Sequence, residues 1–166
     1  MNDRLEIHRV APADHPSIAA VFATNLEFLV LQGDVPPGTS ELPDGLVDSF
    51  VRDESEAGGS VWVVRDEAGA TVAVAATLVH PRERVPWIGL LVVHAACQGQ
   101  GSGRRIERLL TRQFRDQGYG VARLGVLTTN PRALRFWTRI GYREIDRRLS
   151  TDGLPTIVCE RVLDHD

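Results

Sequence analysis

The chain has no lysine. All 19 of its basic residues are arginine, against 22 acids in 166 residues, and the formal net charge is −3. Without an ε-amine there is no Schiff-base chemistry and no Walker-type phosphate clamp. Cysteine is almost as scarce. Cys97 and Cys159 are too few for a disulfide framework, and neither sits among ligands at metal-site spacing. The five histidines, His8, His15, His80, His94 and His165, form no HExxH-like pair, so no metal is expected. No apolar run approaches the ~18–20 residues of a membrane span. Met1 to Glu6 lacks the apolar stretch of a signal peptide. The expected setting is the cytoplasm, with both thiols reduced and no membrane partner. Phenols are few as well: Tyr119 and Tyr142 are the only two.

What is present is the composition of an ordinary globular protein, 43% hydrophobic and 25% charged. The length favours one domain over 1–166, with an ordered core of about 4–163. Charge is uneven along it. Residues 1–86 hold 14 acids and 6 arginines, a net of −8, whereas residues 87–166 hold 8 acids and 13 arginines, a net of +5. Two ligand parts of opposite sign would suit such halves. Nucleic acid is not an expected partner, given the negative total and arginines set on the outer face of an amphipathic helix.

Periodicity orders the elements. Arg4–Val10 alternates as a strand, and a helix opened by Pro12 and Asp14 carries Ile18, Val21, Phe22, Leu26 and Leu29. Residues 33–38 form a loop. A second helix covers about Asp44–Ser55. Val61–Val64 and Thr71–Val79 read as a hairpin, followed by Trp87–Val93, apolar enough to be covered on both faces. Ser102–Gln117 is amphipathic, with Ile106, Leu109, Leu110 and Phe114 inward. Val121–Leu127, a helix over Pro131–Ile140, and strands near Tyr142–Leu149 and Thr156–Leu163 complete the order β-α-α-β-β-β-α-β-α-β-β. That order predicts a mixed α/β (α+β) sheet of six to seven strands with helices on both faces.

The densest signal is Gln98-Gly99-Gln100-Gly101-Ser102-Gly103-Arg104-Arg105, where a buried strand runs into three alternate glycines and then a helix. Glycines let backbone amides approach an anion, and a helix start adds unsatisfied N–H groups and a positive dipole end. Arg104 and Arg105 stand ready for an outer phosphate. The same stretch also fits a plain strand-to-helix turn. A Rossmann fingerprint does not fit, because the spacing differs and 119–124 holds no acid. Some thirty residues on, Asn130 caps a helix with Pro131 at its first position and Gly141 at its stop, and Ala133, Phe136, Trp137 and Ile140 share a face.

Together these segments resemble the GCN5-related N-acetyltransferase (GNAT) superfamily. Gln98-x-x-Gly101-x-Gly103 is similar to its acetyl-coenzyme A signature, and Asn130-x-x-Ala133-x-x-Phe136-Trp137 with Gly141-Tyr142 is similar to its second motif. The resemblance implies a single-domain GNAT-like fold, mostly antiparallel, spanning essentially the whole chain. It implies that the strand ending at Val93 splays from Val121–Leu127, and that pantetheine bonds the backbone near Leu91 and Val93. Amides of Gly99, Gln100, Gly101, Ser102, Gly103 and Arg104 would hold the pyrophosphate, with Asn130 and Ala133 flanking the arm. The implied reaction is attack of a primary amine on the thioester of acetyl-CoA, through a tetrahedral intermediate stabilised by a backbone N–H near Val93. An acetyl-CoA-binding protein with little catalysis is the alternative.

Two positions depart from the family pattern. Trp137 stands where a tyrosine commonly protonates the thiolate; an indole N–H can contact sulfur but does not release its proton. Trp87 stands where some members carry a glutamate, eleven residues before the signature glutamine. Counted by alternation, Trp87, Gly89, Leu91 and Val93 share one face, and none ionises. His80, Glu83 and Glu27 are the candidate bases, with ordered water as another route. In the family the first two helices and their loop receive the acceptor. Here that region carries Glu27, Asp34, Glu41, Asp44 and Asp48, a surface that would attract a cationic amine. The motifs do not specify the acceptor, acetyl against a longer acyl donor, or the oligomeric state, a homodimer being one open arrangement.

Overall fold

Alternating and helical patterns resolve, in the computed structural model, into twelve principal elements across the described residues 4–164. They are β1 (Glu6–Arg9), α1 (His15–Ala23), α2 (Leu26–Gln32), α3 (Leu46–Glu56), β2 (Ser60–Arg65), β3 (Thr71–Val79), β4 (Pro86–Val93), α4 (Ser102–Asp116), β5 (Val121–Leu127), α5 (Pro131–Arg139), β6 (Arg143–Leu149) and β7 (Pro155–Val162). The expected Met1–Glu6 segment and the 1–166 limits extend past the described residues by three at the start and two at the end.

The seven strands form one mixed sheet in the order β1-β2-β3-β4-β5-β7-β6. Every neighbour is antiparallel except β4 and β5, which run parallel. Helices α4 and α5 cover one face, where Ile106, Leu110, Phe114 and Trp137 pack on Ala73, Ala75, Ile88, Leu124 and Ile157. Helices α1 to α3 cover the other, with Ile18, Val21, Phe22, Leu29 and Val47 on Val61, Val63, Val74 and Val92. This is the expected α/β architecture, with helices over both faces of β4.

Two local expectations are corrected. The first helix is not continuous from Pro12 to Leu29 but breaks at Thr24–Asn25 into α1 and α2. The cause lies in those two side chains. Thr24 Oγ1 donates to the Val21 carbonyl at 2.8 Å and Asn25 Nδ2 donates to it at 3.0 Å, in place of the backbone donor a continuing helix would supply. The second correction concerns β4. Thr77 pairs with Ile88 but Ala76 pairs with Leu90, so Gly89 is an extra, bulged residue. The bulge breaks alternation. Ile88, Leu91 and Val93 face α4 and α5, whereas Leu90 and Val92 face α1 to α3. Trp87, opposite Leu78, falls on that second face, so it does not share a face with Leu91 and Val93.

Candidate active site

Strands β4 and β5 are joined only at Trp87–Arg123 and Ile88–Leu124. Beyond these pairs the two strands have no ladder between them. On the other side of β4, the His94 N–H donates to the Val72 carbonyl at 2.8 Å, which makes Ala73–Val93 a non-hydrogen-bonded pair of the antiparallel ladder. By alternation Leu91 is the same. The N–H and C=O groups of Leu91 and Val93 therefore point toward β5, into an opening where β5 offers no partner, although the Val93 carbonyl already accepts from Asn25 Nδ2 at 3.0 Å and Gln98 Nε2 at 2.9 Å. Backbone donors and acceptors in such a place suit an extended ligand with amide groups of its own.

From the end of β4 the chain runs through residues 94–101 into the start of α4. Gly99 and Gly101 have φ of 73° and 78°, and a Cβ on either would meet nothing within 4 Å. These glycines are required by backbone conformation and border open space. Gly103 is different: a Cβ there would lie 2.9 Å from Phe136 Cζ, so it permits close approach of α4 to α5. Gly101 is the N-cap of the 15-residue α4 and no side chain caps that end. The first-turn amides are thus available to an anion, with the dipole behind them. Arg104 is exposed beside them, and Ser102 is buried.

Several sequence candidates have structural employment. Asn130 Oδ1 accepts from the Ala133 N–H at 3.1 Å and caps α5. Gln98 points away from the α4 amides. Its Nε2 donates to Asn25 Oδ1 and to the Val93 carbonyl, both at 2.9 Å, and its Oε1 accepts from Arg132 at 3.4 Å. Gln100 Nε2 donates to the Ala96 carbonyl at 3.1 Å. Trp137 is 9% exposed, edge-on to Phe136 and Tyr142 at centroid distances of 4.9 and 5.3 Å. Tyr142 is fully buried; its hydroxyl donates to Glu107 at 2.9 Å, and burial pushes the phenol far up. It is a core residue.

The candidate bases are not gathered at one point. Glu27 is exposed on the first turn of α2. His80 and Glu83 lie in the β3–β4 turn, beside the paired end of β4 and away from the glycine loop. There His80 Nδ1 accepts from the Glu83 N–H at 3.1 Å. Glu83 is held between Arg148 at 2.6 Å and Arg123 at 2.8 Å. The Arg148 hydrogen bond, followed by that of Arg123, outweighs desolvation and lowers the Glu83 pKa. A carboxylate so paired is a poor proton acceptor, which removes it as a base.

On the α1–α3 face a cavity of about 210 Å³ opens beside Leu90, the residue after the bulge. Phe22, Leu29, Leu46 and Phe50 make its apolar wall, and Asp34, Asp53 and Glu54 its charged rim. Burial raises the pKa of Asp34, helped by Asp152, and burial raises that of Glu54, helped by Asp53 and Asp34. Of the acids expected on this surface only Asp34 lines the cavity; Asp48 instead pairs with His15 at 2.6 Å. Asp53, Glu54 and Asp152 carried no distinguishing signal, since helix α3 and the distant β6–β7 turn meet Asp34 only in the folded chain. Among the described residues no cluster of three His, Cys, Asp or Glu forms a metal site, and no helix is long and apolar enough to cross a membrane.

The whole arrangement has counterparts among solved structures. An acetyltransferase from Thermus thermophilus superposes with a TM-score of 0.73 at 22% identity, over 96% of this chain and 97% of that one. A GCN5-related N-acetyltransferase from Kribbella flavida does so at 0.67 and 24%, over 96% and 98%. A spermidine N-acetyltransferase from Vibrio cholerae, solved with CoA and spermine, does so at 0.69 and 14%, over 95% of each chain. At these identities the likeness is one of fold. No curated protein sequence matches significantly. The sequence itself is decisive: residues 28–142, well over half of the chain, match the model of the acetyltransferase (GNAT) family, and the chain belongs to that family.

Proposed function

We propose that the protein is an acetyl-CoA-dependent N-acetyltransferase acting on a primary amine of a cationic small molecule or peptide. The observation that carries this reading is the succession, along one stretch of chain, of the β4–β5 opening and the uncapped start of α4. One offers the gap-facing N–H and C=O of Leu91 and the N–H of Val93, the other free amides bordered by glycines whose Cβ positions are open. That donor set fits a pantetheine arm followed by a pyrophosphate. Leu91 and Val93 would bond the arm, Gly99 to Arg105 would surround the phosphates, and Ala133 with Trp137 would flank the sulfur from α5. Acetyl-CoA supplies the activated acyl carbon. As an amine attacks it, charge grows on the carbonyl oxygen, and a gap-facing N–H of Leu91 or Val93 is oriented to stabilise it.

The acceptor would enter from the opposite face, through the cavity beside Leu90. Its apolar wall and three acids suit a cationic amine on a short apolar stem. Glu54, with its pKa raised by burial, is suited to take a proton from the entering ammonium. Trp137 is limited to contact with sulfur, so the thiolate leaves unprotonated or takes a proton from water.

Calorimetry with acetyl-CoA and thiol release over a panel of amines test the proposal together. Binding with amine-dependent release is expected. Tight binding without release on any amine would favour a sensor, the reading that the lack of an acid at Trp137 supports. Gly101→Glu is expected to abolish binding. Gly101→Ala has the same left-handed strain, about 1–2 kcal/mol, without the carboxylate, and is expected to retain it. Undiminished affinity in Gly101→Glu would refute the cradle.

A further inference from the structure

Three hydrogen bonds join the α1–α2 break to the end of β4 and the start of the glycine loop, and a fourth ties that loop back onto the end of β4. Asn25 Nδ2 donates to the Val93 carbonyl at 3.0 Å, Gln98 Nε2 donates to Asn25 Oδ1 and to that same carbonyl at 2.9 Å each, and the Ala95 N–H donates to Thr24 Oγ1 at 3.1 Å. The orientation of the Asn25 amide is dictated by its surroundings. Its nitrogen faces the Val21 and Val93 carbonyls, which only accept, and its oxygen faces the Gln98 nitrogen. The peptide after Val93 is thereby fixed at both ends, its carbonyl by two side-chain amides and its N–H, that of His94, by Val72.

The position of this bridge matters. Phe22 and Leu29, which bracket Thr24–Asn25, line the cavity on the α1–α3 face. Val93 lies at the opening on the other. We infer that Asn25 is a positioning residue, and that the Asn25–Gln98–Val93 bridge couples ligand binding at the glycine loop to the geometry of the acceptor cavity. The inference rests on the cofactor reading above. Ordering residues 93–98 around a ligand restrains the partners of those bonds, so the wall formed by α1 and α2 becomes less mobile and the acceptor meets a more nearly formed site. Gln98, the first residue of the signature, serves this coupling through its side chain and needs no phosphate contact.

Hydrogen exchange on the full chain, with and without saturating acetyl-CoA, tests it. In the native protein, acetyl-CoA is expected to slow exchange at 91–105 and also at 21–30. In Asn25→Asp, which keeps an acceptor for Gln98 but cannot donate to Val93, slowing at 91–105 is expected to persist while slowing at 21–30 is lost. Thr24→Val, isosteric and without the acceptor for Ala95, is expected to weaken the same transmission. A residue with only a structural role would speed exchange equally in both states and leave the ligand-induced difference intact. Full slowing at 21–30 in both variants would overturn the coupling. No slowing at 91–105 in the native protein would overturn the cofactor reading first, and the coupling with it.

Discussion

At the scale of single residues, the acids around the cavity separate stability from function. Glu54 is held partly out of water, near Asp53 and Asp34, and no arginine pairs with it among the described ion pairs. Glu54→Gln is therefore expected to raise Tm slightly in a thermal melt at neutral pH, because a repelled, desolvated charge is gone. The same change is expected to raise the acceptor KM by about tenfold, the worth of ~1.4 kcal/mol of lost attraction, with little effect on acetyl-CoA affinity. An acceptor KM unmoved by the substitution would place the amine elsewhere. That these acids converge was only partly legible in the sequence. Asp34 belongs to the expected surface, but nothing in the sequence singles out Glu54, since its proximity to Asp34 depends on how α3 docks.

At the scale of elements, the glycine loop shows what a motif conveys and what it leaves out. The strand-turn-helix order and the motif were readable from residues 88–105, and β3 and β5 were bounded as expected. The separate duties of the glycines were not, because they depend on α5. Gly103 lies against Phe136, so Gly103→Ala is expected to cost about 1–3 kcal/mol through overpacking, measured by denaturant midpoint. Adding Phe136→Leu should recover part of it. Gly101 faces open space and has no such neighbour. The helix break belongs to this scale too. Apolar spacing from Ile18 to Leu29 concealed it, since periodicity registers which side chains face the core and not which carbonyls a threonine and an asparagine will take. Thr24-Asn25 inside an apolar helix was the one available sign.

At the scale of the whole molecule, carboxylates with shifted pKa values give stability a defined pH dependence. Burial raises the pKa of Asp34, Glu54 and Glu107 above ordinary values of 3.8, 4.5 and 4.5, even though Arg161 and Tyr142 partly offset it for Glu107. Their contribution is fully present below those values and is lost as pH rises through the raised ones. Glu83, lowered by Arg148 and Arg123, acts oppositely: its contribution is present above 4.5 and is lost as pH falls. Calorimetric Tm is expected to increase from neutrality into the mildly acid range and then drop below about pH 4.5, with a shallower drop in Glu83→Gln. A Tm that only falls on acidification would contradict the raised values. The architecture itself was legible from the order of patterns, because seven strands and their helices each announce a period. The phase of β4 was not, since alternation assumes that no residue is extra. With Gly89 inserted, odd and even positions exchange sides partway along the strand. Removing Gly89 would leave Ile88 opposite Thr77 and Leu90 opposite Ala76, so both halves would keep their faces and only the local kink of the bulge would go.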